Sequence, residues 1–436
     1  MQTYLDAVRQ AQFMRRTGRV THVSGHSMES AGPVAVVGEV CEVITDHGGS
    51  ILAEVVGTRP GRLVLIPCGD LRGIGSGSEV IATGRPPRIA VGEGLLGRVI
   101  DAFGEPIDGG GPLASSAFRP LHAAPVNPLT RPRITTLMET GVRAIDCLLP
   151  LGRGQRVGIF SGSGVGKSTL LGMLARDIRS DVNVIALIGE RGREVREFIE
   201  KHLGAEGLKR SVVVVATSDQ PALARTRAAH AATAIAEHFR EQGRQVLLMM
   251  DSITRFAMAR REIGLAAGEP PTSRGYTPSV FAEIPPLCER CGTTDSGGSI
   301  TALVTVLVEG DDFNEPVSDI LRATLDGHIV LSRELAQEGH FPAIDILQST
   351  SRLATDLTDA GEQALMASAV QLLSTYARNR QMVDMGAYRA GSNAEVDRAL
   401  HAMPALRKLL RQAVHDSMRR EASMACLRSA VAGVAA

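Results

Sequence analysis

The run Ser161-Gly162-Ser163-Gly164-Val165-Gly166-Lys167-Ser168-Thr169 sets small residues, one lysine and two hydroxyls in an order that suits phosphate binding. Glycines let successive backbone N–H groups turn inward around phosphate oxygens, and a helix starting at the end of the run adds partial positive charge. Lys167 is then placed for the β- and γ-phosphates of a nucleotide and Ser168 for Mg²⁺. The pattern G-x-x-x-x-G-K-[ST] carries weight only between a strand and a helix. Both flanks are predicted: an apolar strand over 157–160, then a helix with Leu170, Leu171, Leu174 and Ile178 at helical spacing. Ser161 stands where the pattern has its first glycine, a position that opens the loop and need not touch phosphate.

Transfer of a phosphoryl group to water also needs a metal anchor, a group that positions the water and positive charge for the transition state. The apolar segment 246–250 ends in Asp251, a carboxylate placed to hold Mg²⁺ through water. The segment Val182–Ile188 ends in Gly189-Glu190-Arg191-Gly192-Arg193-Glu194, and Glu190 there is the candidate base. Pattern alone leaves open that this charged cluster is a solvated loop. Cys288-Glu289-Arg290-Cys291 has C-x-x-C spacing, but no second Cys/His pair follows to complete a zinc site. It ends an apolar segment, 284–287, that reads as helix packing.

The elements that must position these residues follow from texture. Residues 1–16 suggest a short helix with Tyr4, Leu5, Val8 and Ala11 on one side. From 18 to 88, short β-branched runs such as Val34-Ala35-Val36-Val37 alternate with Gly, Pro and Asp, which predicts a small barrel or sandwich. Residues 105–135, rich in Gly and Pro, read as a connecting arm. From about 140 to 350, strands at 182–188, 212–216, 246–250 and 300–308 alternate with helices, the pattern of a mostly parallel α/β sheet. The helix after Pro221 has N-cap candidates in Ser218 and Asp219 and a stop at Gly243. Beyond 355 the texture is helical, with Leu365, Ala369, Leu372, Leu373 and Tyr376 in register and Pro404 separating two later segments.

At 436 residues the chain can hold two or three domains. Lys+Arg and Asp+Glu balance at 47 each, which favours neither a polyanion nor a membrane surface as partner. Six scattered cysteines suit a reducing compartment, and neither a secretory signal nor an apolar run of membrane length is recognised. The expected setting is the cytoplasm.

Several segments resemble the catalytic subunits of rotary ATP synthases and, more closely, the ATPases of type III protein export. They are 189–194, Met250-Asp251-Ser252-Ile253-Thr254-Arg255-Phe256, Gly268-Glu269-Pro270-Pro271, Pro342-Ala343-Ile344-Asp345 and Ser349-Thr350-Ser351-Arg352. The resemblance spans nearly the whole chain and is strongest over 152–352. It implies a RecA-like P-loop ATPase core (89–352, with its entry arm) between an N-terminal β-barrel (18–88) and a C-terminal α-helical domain (353–436), preceded by a regulator-docking helix (1–17). By the same resemblance Glu190 is the catalytic carboxylate, with Arg191 beside the γ-phosphate and Arg255 a basic residue of the site. Phe341 stacks on adenine, and Arg352 is an arginine finger offered in trans to the adjacent subunit, its alternative being a structural ion pair. ATP and Mg²⁺ are the implied substrate and cofactor. The implied partners are a homohexamer, a dimeric negative regulator, a stalk protein, chaperone–substrate complexes and, indirectly, a membrane export gate.

Glu190 argues against a non-catalytic subunit. The segment Gly386-Ala387-Tyr388-Arg389-Ala390-Gly391-Ser392-Asn393 lacks the acidic run expected of a rotary synthase subunit. It resembles flagellar export ATPases instead, as do Ser218-Asp219-Gln220-Pro221-Ala222-Leu223 and Gly275-Tyr276-Thr277-Pro278-Ser279-Val280-Phe281. No Phe, Tyr or Trp lies between residues 15 and 102 and no basic cluster compensates, which argues against a nucleic-acid translocase. Flagellar export is therefore the expected service, with a virulence-type secretion system as the alternative and a rotary synthase-type catalytic subunit as the second.

Overall fold

The computed structural model describes residues 15–113, 117–308, 310 and 312–433. The expected N-terminal helix falls almost wholly outside the described residues, and Arg16 already opens a strand. Strands Arg16–Ser24, Ser27–Ala31, Val40–Ile44, Ser50–Arg59, Arg62–Pro67 and Glu79–Ala82 form a closed barrel. Closure comes from pairing of the first strand with the last, Arg16 opposite Ala82. Alternate residues point inward, among them Val20, Met28, Cys41, Val43, Val55, Leu65 and Val80. Gly18 is required by the chain leaving the second strand: a Cβ there would lie 2.0 Å from the Gly32 carbonyl carbon.

The run 34–37 is not a strand, contrary to its β-branched composition. Gly32-Pro33 interrupts the ladder before it. Side chains then satisfy its backbone: Arg16 donates to the Val34 carbonyl (2.7 Å), and the Val36 N–H donates to Glu39 (3.2 Å). Val34 and Val36 are left exposed. The connecting arm is also more ordered than its composition suggests. Ala117–Pro120 pairs antiparallel with Arg88–Val91, and Arg119 is tied to Glu241 at the end of a core helix.

The core is a nine-stranded sheet. Seven strands run parallel: Gly327–Leu331, Arg156–Ser161, Ser299–Leu307, Gln245–Asp251, Val182–Ile188, Ser211–Ala216 and Val99–Asp101, in that spatial order. Ile344–Ser351 joins one edge antiparallel, and the ninth, two-residue strand Gly292–Thr293 pairs antiparallel with the start of Ser299–Leu307. Both faces are covered, so the strands are apolar throughout. Val182, Val184, Ala186 and Ile188 enter one core with helix Ala222–Glu241, while Ile185 and Leu187 enter the other with helix Lys167–Asp177. Neither Ser218 nor Asp219 caps helix Ala222–Glu241; Pro221 itself takes the N-cap position.

Three helices, Ala360–Asp384, Ala394–Leu410 and Arg420–Ala432, complete the chain and extend the second core through Ala369, Leu373, Leu406 and Leu427. Pro404 does not separate two segments but sits inside Ala394–Leu410. Burial of Val396, Ala399, Ala402, Met403 and Leu406 along one face outweighs the roughly 3 kcal/mol cost of an interior proline. The break falls later, at 411–419. Among the described residues no helix is long and apolar enough to cross a membrane.

Candidate active site

The phosphate loop leaves strand Arg156–Ser161 between two parallel neighbours, at the carboxyl end of the sheet where such folds bind ligands. Gly164 and Gly166 take positive φ (78° and 90°), and helix Lys167–Asp177 starts directly after them. Ser168 lies exposed in its first turn. The buried Ser161 hydroxyl, at the strand end, has no hydrogen-bond partner.

Two neighbouring strands end in carboxylates that meet Lys167. Its ammonium is 2.5 Å from Asp251 Oδ1 and 3.2 Å from Glu190 Oε1. Burial opposes the Lys167 charge, but Asp251 and Glu190 together outweigh it and hold its pKa above the ordinary value. Glu190 is pushed up to about 7, first by burial and then by the Asp251 charge; a hydrogen bond with Glu194 adds to the rise and Lys167 opposes it. A base poised near neutrality suits proton abstraction from water.

The sequence motifs do not point to Thr305, yet it matters here. Its hydroxyl donates to Asp251 Oδ1 at 2.7 Å, orienting the carboxylate from the adjacent strand. The signal available was one hydroxyl in the otherwise apolar stretch Ala302-Leu303-Val304-Thr305-Val306, too common a feature to single out.

Arg255 lies beside the Glu190 loop, since a Cβ on Gly189 would fall 2.9 Å from Arg255 Cβ. Its Nε is buried without a hydrogen-bond partner. Arg191 is exposed at the N-cap of helix Gly192–Glu197. Phe341, which shortly precedes edge strand Ile344–Ser351, reaches the phosphate loop: its ring lies 3.6 Å from where a Gly166 Cβ would sit, and it is 46% exposed. The Gln412 N–H donates to the Phe341 carbonyl (2.8 Å), fixing this segment to the C-terminal helices.

Arg352 is not brought to this site. It follows strand Ile344–Ser351, whose Ser351 pairs with Gly327, and Gly327 pairs with Val157 at the start of the loop strand. That end of the sheet is about 15 Å from the phosphate loop at about 3.3 Å per residue. Its guanidinium donates to the Arg322 carbonyl at 2.7 Å. Cys288 and Cys291 are buried free thiols. Burial, followed by the Glu237 charge, pushes Cys291 up to about 12, so no reactive thiolate is built there.

The residues fit a magnesium nucleotide. Positive-φ glycines, a partnerless buried hydroxyl, an ammonium held by two acids and an exposed hydroxyl at the helix start match its phosphates and cation.

Comparison with known proteins agrees with this fold. Residues 141–351 match the model of the ATP synthase alpha/beta family nucleotide-binding domain, and residues 20–84 that family's beta-barrel domain. Residues 358–429 match the T3SS EscN ATPase C-terminal domain. The chain is 51% identical to the flagellum-specific ATP synthase of Bacillus subtilis (strain 168), covering 98% of each chain. It is also 51% identical to the type 3 secretion system ATPase of Xanthomonas euvesicatoria, over 91% of this chain and 90% of the other. The solved structure of the assembled ATPase EscN from the enteropathogenic E. coli type III secretion system superposes with a TM-score of 0.91 at 42% identity, covering 95% of this chain and 100% of that one. The same ATPase has been solved with its central stalk EscO, with a TM-score of 0.87 over the same shares of the two chains. This chain belongs to the ATP synthase alpha/beta family and, within it, to the ATP-hydrolysing ATPases of flagellar and type III secretion systems.

Proposed function

We propose that the chain hydrolyses ATP as a subunit of a homohexameric ring that energises type III protein export. The observation that carries the reading is the meeting of Lys167, Glu190 and Asp251 behind the phosphate loop, while Arg352 stands at the opposite end of the sheet. Lys167 would leave its two carboxylates to meet the β- and γ-phosphates. Glu190 would orient the attacking water and accept its proton at a carboxylate oxygen. Ser168, with Asp251 acting through water, would hold Mg²⁺, which neutralises phosphate charge. Arg191 and Arg255 would add positive charge near the γ-phosphate, and Phe341 would cover the adenine. Arg352 of a neighbouring subunit would supply the remaining charge, a contribution of roughly 10³–10⁵ in rate where such fingers act.

The EscN-type C-terminal domain and the EscN structures support service in a secretion system in place of the flagellar service expected from the sequence motifs. Flagellar export is the second reading, supported by relatives named flagellum-specific at up to 52% identity. Chaperone release, a stalk seated in the ring, a dimeric regulator and a peripheral place at the cytoplasmic face of the export apparatus belong to either reading. Deleting the gene tests them together. Loss of effector secretion with intact swimming supports the first, and loss of hook and filament secretion supports the second. In either case a Glu190→Gln copy should bind nucleotide, lose hydrolysis by about 10²–10⁴-fold and restore export poorly. Normal secretion by both routes in the deletion strain would contradict a role in type III export.

A further inference from the structure

Away from the phosphate loop, three possible ligands converge from three segments: His122 of the arm, His230 of helix Ala222–Glu241 and Glu283 of helix Pro278–Glu289. One ligand atom of each lies within 4.8 Å of the others. His230 Nε2 is 2.7 Å from Glu283 Oε1, and the two imidazole centroids are 4.4 Å apart. His230 is only 5% exposed, and it turns Nε2 toward Glu283 while its buried Nδ1 has no hydrogen-bond partner. Arg260 Nε lies 2.5 Å from the other oxygen of Glu283 as an ion pair, and Oε1 faces His230. His122 is exposed, so the cluster is open on one side. It borders a cavity of about 280 Å³ between barrel and core, lined also by Glu54, Val56 and Arg227.

We propose that His122, His230 and Glu283 bind a divalent cation of the zinc class. Two imidazoles and one carboxylate, with a fourth position open to water, are a donor set that Zn²⁺ accepts in tetrahedral geometry. Mg²⁺ prefers six oxygens and is poorly served here, so this site is distinct from the magnesium position at the phosphate loop. Ligand atoms around a tetrahedral ion at about 2.0 Å lie about 3.3 Å apart, so His230 and Glu283 separate by about half an ångström while His122 closes in. The bound ion joins the arm to two core helices beside the barrel. Binding to the folded chain alone raises its stability.

The test uses the full chain, stripped with a chelator and carrying Cys426→Ser to remove the exposed thiol. It is titrated with Co²⁺ and then Zn²⁺ in excess Mg²⁺. The expected result is one equivalent of Co²⁺ with the visible absorption of a four- or five-coordinate site, its displacement by Zn²⁺, and a higher Tm with Zn²⁺. His122→Ala, at an exposed position, and Glu283→Gln should each weaken Zn²⁺ binding by about 10–100-fold or more. His122→Ala should leave ATP hydrolysis in metal-stripped, Mg²⁺-containing buffer unchanged. Absence of the Co²⁺ absorption and of the Tm rise in the parent chain, or equal Zn²⁺ affinity in parent and both variants, would overturn the proposal.

Discussion

Glu190 is the residue at which structure and chemistry meet most closely. Its pKa rises from an ordinary 4.5 to about 7 because burial and the Asp251 charge disfavour ionisation. A carboxyl whose pKa is raised on folding stabilises the fold fully below its unfolded pKa, and that stability is lost as pH rises through the folded value. Glu190→Gln should therefore match the parent near pH 4.5 in nucleotide-free thermal melts. It should gain in Tm relative to the parent between 4.5 and about 7, and hold that gain above. A Tm difference independent of pH would refute this account of the Glu190 environment. Lys167 and Asp251 were legible because one ends a phosphate-loop pattern and the other closes an apolar strand, whereas pattern alone left Glu190 open to a solvated loop and only family resemblance gave it a role. Thr305 was not, because a hydroxyl inside an apolar strand carries no sign of the carboxylate beside it.

At the scale of elements, the C-x-x-C segment has its chemistry in the two residues between the cysteines. Glu289 receives Arg131 (3.0 Å) and Arg156. Arg290 forms a two-pronged pair with Glu237 at 2.8 Å for each bond and donates to the Leu121 carbonyl at 2.7 Å. Glu237 and Arg290 are each 3% exposed, so the arm, helix Ala222–Glu241 and the end of helix Pro278–Glu289 are held together by a buried ion pair. Glu237→Ala leaves the guanidinium buried and unpaired, and chemical denaturation should register a loss of about 3–5 kcal/mol. Glu197→Ala, which breaks an exposed pair with Lys201, should cost under about 1 kcal/mol. Equal losses would contradict the assignment of the buried pair. Strand and helix types were legible from periodicity, whereas 34–37 and Pro404 were not. In both, tertiary contacts decide: Arg16 and Glu39 satisfy a loop that composition favours as strand, and a buried face carries a helix through its proline.

At the scale of the molecule, the sheet separates the parts of one chemical site. The phosphate loop, Glu190 and Asp251 lie at the carboxyl ends of the parallel strands, while Arg352 follows the antiparallel edge strand at the other end. A single chain therefore offers a nucleotide site on one side and an arginine on another, an arrangement that head-to-tail closure of a ring would complete. The sequence held this arginine only through family resemblance, since no local pattern reports which end of a sheet a residue will occupy. The most direct measurement mixes two inactive variants, Glu190→Gln and Arg352→Ala, in equal amounts under conditions where rings assemble. If each site takes Glu190 from one subunit and Arg352 from the next, random mixing leaves about a quarter of the interfaces intact, and hydrolysis should return toward about a quarter of the parent rate. Mixed rings as inactive as either variant alone would contradict a site shared between subunits.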